Sequence, residues 1–119
     1  MIMITSRDID KFEAVYPLLV SITKSMTTLS TKKPSDIISE FKLDQINKIL
    51  KQCNTLLRDK RPDTDFDGFD NDTMPQNSDV VVMLELYIAS MDKFKISNSE
   101  YVGEDWNETL PHYEWKKTK

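Results

Sequence analysis

Between Pro62 and Asp79 the chain places six aspartates and no basic residue. Within that stretch, Asp63-Thr64-Asp65-Phe66-Asp67-Gly68 spaces three carboxylates two residues apart and follows them with a glycine. Alternating carboxylates in a tight loop can turn toward one centre, and hard cations take oxygen ligands of this kind. The same residues could act by charge alone, because an exposed array of one sign steers and orients a partner of the opposite sign. They could also do neither, since aspartate side chains close local turns in solvated connectors. Other chemistry is scarce. His112 is the only histidine and Cys53 the only cysteine, which excludes a histidine-rich metal site, a cysteine zinc site and a disulfide framework within one chain. His112 follows Pro111 in a polar segment with no patterned nucleophile beside it, so a nucleophile–base pair has no support. The only two glycines, Gly68 and Gly103, cannot supply a phosphate-cradling loop. Paired carboxylates do acid–base work only where a pocket separates their pKa values, and no such pocket is legible. The chain is therefore expected not to be an enzyme.

The hexapeptide resembles the opening of an EF-hand calcium loop. Asp63, Asp65 and Asp67 stand at positions one, three and five, Gly68 at six, Phe69 at seven and Asn71 at nine. The resemblance ends there. Asp70 occupies position eight, usually apolar, and Met74 occupies position twelve, where a bidentate glutamate should close the site. Pro62 stands where the incoming helix should run into the loop. What the resemblance implies is a weak calcium site with Asp63, Asp65 and Asp67 as ligands; no other cofactor is expected.

The elements that must position this loop are helical. With 119 residues, 39% of them hydrophobic, the chain has the size of one domain with one core. Thr5 followed by Asp8 forms the spacing of a capping box, and Ile9, Phe12, Tyr16, Leu19, Ile22, Met26 and Leu29 then recur in steps of three and four. Pro17 inside this run predicts a kink or a restart. Ser35 is a good N-cap for the next segment, with Ile37, Ile38 and Phe41 as a short apolar turn. After a break at Lys42, with Asp44 as a possible cap, Leu43, Ile46, Leu50, Cys53 and Leu57 mark a second helix, widened by Ile49 and Leu56 and stopped at Pro62. A third helix starts at Ser78 or Asp79 and carries Val80, Leu84, Tyr87, Met91 and Phe94 on one stripe. Apolar residues fill most of its other directions, so several of its sides need cover, by the tail or by a second copy of the chain. The tail holds both tryptophans and predicts a short helix over 104–110 followed by an extended end.

These elements define an all-α fold. A small bundle of three main helices, the first kinked at Pro17, spans 1–96, with the acidic loop 62–79 between helices two and three. An aromatic-rich C-terminal tail spans 97–119. Ile46, Leu50, Leu57, Leu84, Tyr87 and Met91 are expected in the core. The loop directly follows a basic stretch, Lys42 to Arg61, in which six basic residues face only Asp44 and Asp59. Loop and stretch could satisfy each other, or one of them could meet a charged partner.

The functional expectation is a non-enzymatic protein-interaction module, a small regulator or inhibitor of the size carried by phages and mobile elements. It would meet another protein, one with a basic surface, through Asp63, Asp65, Asp67, Asp70 and Asp72 and through the aromatic anchors Trp106, Tyr113 and Trp115. Two alternatives stand beside it: a homo-oligomer that sequesters a small ligand between subunits, and the weak calcium binder. The sequence pI of about 5.0 and the lack of aromatics interleaved with the basic residues disfavour nucleic acid. Met1 to Ile4 is too short for a secretory or anchoring segment, and Val80 to Met91 is too short to cross a bilayer, so a cytoplasmic protein without membrane contact is expected.

Overall fold

The computed structural model describes residues 4–70, 72–103 and 112–115, the last two ranges as backbone only at 100–103 and 112–114. Three helices dominate: α1 (Ser6–Lys32), α2 (Glu40–Leu57), which runs into a single 3₁₀ turn at Arg58–Lys60, and α3 (Asn77–Ser97). Two short strands, β1 (Ser99–Gly103) and β2 (His112–Trp115), follow as an antiparallel ladder. The expected all-α bundle of three main helices is the observed fold.

α1 begins as its sequence dictates. The Thr5 hydroxyl accepts from the Asp8 amide at 3.1 Å, and the Asp8 carboxylate accepts from the Thr5 amide at 3.2 Å. The helix then runs without interruption through Pro17, so the restart expected there does not occur. Pro17 and Glu13 both lie on the exposed face, where water can take up the carbonyl that proline leaves without a helical donor. The buried Thr23 hydroxyl donates to the Leu19 carbonyl one turn back, which removes the cost of its polarity.

Three expected boundaries need correction. Ser39, not Ser35, caps α2 by accepting from the Lys42 amide, so there is no break at Lys42 and Asp44 caps nothing. α2 ends at Leu57, before Pro62, because Arg58 turns to a φ of 55° and the chain tightens. α3 starts at Asn77 after Gln76, which makes no side-chain cap, rather than at Ser78 or Asp79. The Asn77 and Ser78 amides donate instead to the Asp36 and Pro34 carbonyls of the α1–α2 connector. The Asn77 side chain donates to the Lys33 carbonyl at the end of α1. The cap is thus supplied by a segment some forty residues away, which satisfies orphan amides as well as a local hydroxyl would.

This junction sets the topology. The starts of α2 and α3 meet at the end of α1, so α2 and α3 run alongside each other and α1 runs opposite to both. The segment from Arg61 to Gln76 must therefore return the length of the bundle. The core between the helices holds all six expected residues, Ile46, Leu50, Leu57, Leu84, Tyr87 and Met91, none more than 2% exposed. Cys53 is also fully buried.

Candidate functional site

The acidic segment is a strap along the bundle, fastened on its inner side. Phe66, Phe69 and Met74 pack against the core; the two phenylalanine rings meet edge to face at 5.1 Å, and Phe66 reaches Tyr87 at 6.2 Å. Asn47 of α2 clamps the strap backbone in both directions. Its Nδ2 donates to the Phe69 carbonyl at 2.9 Å and its Oδ1 accepts from the Phe69 amide at 2.8 Å. The clamp explains Gly68. Its φ is +146°, and a Cβ at this position would stand 3.2 Å from Asn47 Oδ1. The positive φ and the close approach of Asn47 both disfavour a side chain here.

The outer side is all carboxylate. Asp63, Asp65, Asp67, Asp70 and Asp72 are exposed. Asp63 and Asp70 accept from the Asp65 and Asp72 amides, each at 2.9 Å, two local turns of the kind aspartate favours. Asp67 pairs with Arg61 Nη1 at 3.1 Å, and Arg61 Nη2 donates to the Thr64 carbonyl. Among the described residues this is the one ion pair between the basic stretch and the aspartates. Lys42, Lys48, Lys51, Arg58 and Lys60 are exposed elsewhere.

Asn71, at position nine of the calcium frame, lies outside the described residues. Among the described residues no three aspartate, glutamate, histidine or cysteine side chains are grouped to hold a metal ion. Asp63 and Asp67 are turned to the Asp65 amide and to Arg61, and Met74, at the closing position, packs inward.

The tail aromatics separate. Trp115 lies over α1 and α3, edge on to Phe12 at 4.9 Å and 6.2 Å from Phe94. Its Nε1 donates to Glu13 Oε1 at 2.7 Å, and Lys95 Nζ stands 5.5 Å from its ring. Trp115 thus covers a side of the bundle, as a helix apolar in most directions requires. Tyr113 lies in β2 opposite Tyr101, with its side chain outside the described residues. Trp106 and the helix expected over 104–110 fall outside them as well.

Sequence reasoning passed over Asn47, which holds the strap, and gave Arg61 only as the end of a basic stretch that could meet the loop. The available signal was an asparagine in mid-helix, a poor helix former that tends to be kept there by a bond to something else. No known protein family, no curated protein and no solved structure matches this chain. The fold and site thus define it as a three-helix bundle carrying a core-anchored acidic strap. Among the described residues no helix is long and apolar enough to cross a membrane.

Proposed function

We infer that this protein works without catalysis, as a small intracellular regulator that binds the basic surface of another protein through the strap. One observation carries the reading: five aspartates stand exposed on a backbone that Phe66, Phe69 and Asn47 fasten to the core, and only Asp67 has a basic partner among the described residues. A fastened backbone has little ordering entropy left to lose on binding. A row of like charge raises the rate of encounter with an opposite one.

The test is the triple substitution Asp63→Asn, Asp65→Asn and Asp67→Asn, which keeps side-chain size and the capacity for local turns. The variant stays folded with stability changed by about 0.5 kcal/mol or less, because exposed charges contribute little. Affinity for the partner recovered with the wild-type protein falls, mainly through a slower on-rate, and loses much of its salt dependence. Calcium leaves the melting temperature of both proteins unchanged. A folded triple variant with wild-type affinity and salt response removes the strap from the reading.

Self-association belongs to the same reading. Val82 and Leu86, one turn apart on α3, are 59% and 46% exposed, an apolar pair that a second copy would cover. Light scattering should give a mass above 13.9 kDa at high concentration, and Val82→Ser with Leu86→Ser should return it to the monomer. A monomeric wild type at every concentration rejects this part.

A further inference from the structure

At the end of the bundle opposite the three-way junction, the start of α1 and the ends of α2 and α3 frame a half-open cleft of about 590 Å³. We propose that this cleft is a binding site for a small amphipathic anion, an apolar body carrying one carboxylate, sulfonate or phosphate group.

Three features argue for it. First, its size falls within the range of small-molecule sites, and the half-buried Phe94, with the buried Leu56 and Leu57 behind the surface, gives it an apolar side. Second, three cations line it, Arg58, Lys60 and Lys93, and none of them makes an ion pair among the described residues. Against them, among the described residues, stand two carboxylates, those of Asp8 and Asp59. The described lining therefore keeps a net positive charge, three cations against two carboxylates.

Third, the backbone at the cleft is strained. Arg58 has φ 55° and ψ −119°, and among the described residues it is the only one besides glycine with a positive φ. A residue with a Cβ resists this conformation, and glycine would end α2 more cheaply. Strain of this kind concentrates where a side chain must be held for a ligand. Here it holds an arginine at the lining of the cleft, where its planar donors suit an oxyanion.

The experiment titrates decanoate into the full-length protein by calorimetry, with decanol and inorganic phosphate as separate probes. Decanoate binds once per chain, with a dissociation constant below about 1 mM. Decanol, which lacks the charge, and phosphate, which lacks the apolar body, each bind at least about tenfold more weakly. Arg58→Gly weakens decanoate about fivefold or more while melting no lower than the parent, because glycine relieves the strain. Loss of binding in that variant therefore cannot be loss of folding. Lys93→Ala weakens decanoate similarly, and Lys48→Ala, a basic residue outside the cleft, does not. Absence of saturable binding, equal binding of decanol or phosphate, or unchanged affinity in Arg58→Gly and Lys93→Ala overturns the proposal. The triple aspartate variant binds decanoate as the wild type does, so the strap and the cleft stand or fall separately.

Discussion

Leu84→Ala is expected to destabilise the protein by about 2–5 kcal/mol, the range for removing a fully buried leucine and leaving a cavity. Leu84 is 0% exposed at the centre of α3, within the cluster that includes Leu50, Tyr87 and Met91. A domain of this size has about 5–15 kcal/mol of stability, so the loss is a large fraction of it. Denaturant unfolding should show a lower midpoint with an unchanged slope, since the surface exposed on unfolding stays nearly the same. Phe41→Ala removes a larger side chain, but Phe41 is 73% exposed, and its effect should stay within about 0.5 kcal/mol. Equal effects from the two substitutions would refute the assignment of the core.

Alkaline pH should unfold the protein well before its backbone chemistry fails. Three weak acids hold their protons more tightly in the folded chain. Burial pushes the Cys53 thiol from 9.0 up to about 12, against a small opposing effect of its own backbone hydrogen bond. Burial, then the hydrogen bond to Asp92 and the charge of that carboxylate, push Tyr16 from 10.0 to about 12. Burial also raises Tyr87, opposed by the charge of Arg61. In each case the unfolded chain releases its proton first as pH rises, so the folded state binds more protons and stability falls with pH. The contribution is intact below the unfolded values near 9.0 and 10.0 and is lost progressively toward about 12. The slope is at most about 1.4 kcal/mol per pH unit for Cys53, and less for Tyr16, which water partly reaches. Denaturant curves collected from about pH 8 to pH 11 measure it. Cys53→Ala should lower the starting stability but flatten the slope, and Tyr16→Phe should flatten it while keeping the ring stacked on Phe12 at 5.1 Å. A pH-independent wild type would contradict the burial of the thiol. Thiol reagents at about pH 8 should label Cys53 only as fast as the chain opens, because the thiolate is the reactive form.

The strap and the cleft divide the surface between two kinds of chemistry. The strap presents fixed carboxylates over a loop whose inner side belongs to the core. The cleft presents cations around an apolar side where three helix ends fail to close. Both follow from one topological choice, that α2 and α3 run alongside each other. Parallel neighbours need a long return segment, which becomes the strap. The same choice brings two helix C-termini to one end, where cationic side chains are favoured by the helix dipoles.

The three helices were legible because their information is local. Residues at steps of three and four fall on one helical face whatever the rest of the chain does, and the capping box at Thr5 and Asp8 closes within a single turn. The core list followed from the same spacing. The absence of a histidine cluster, a second cysteine or a glycine-rich loop from the sequence bounded the chemistry before any fold was known. What only the tertiary structure decided involves residues far apart in the chain. Asn47 holds Phe69 across 22 positions, Asn77 reaches Lys33 across 44, and Trp115 reaches Glu13 across 102. Pairings of that length leave no periodic mark in the sequence. The contacts of Asn47, Arg61 and the core with the hexapeptide's glycine, one of its aspartates and its phenylalanine could therefore not be read from the spacing that resembles a calcium loop. Local spacing sets which face of an element is apolar, but long-range packing chooses what that face, and each polar group beside it, will meet.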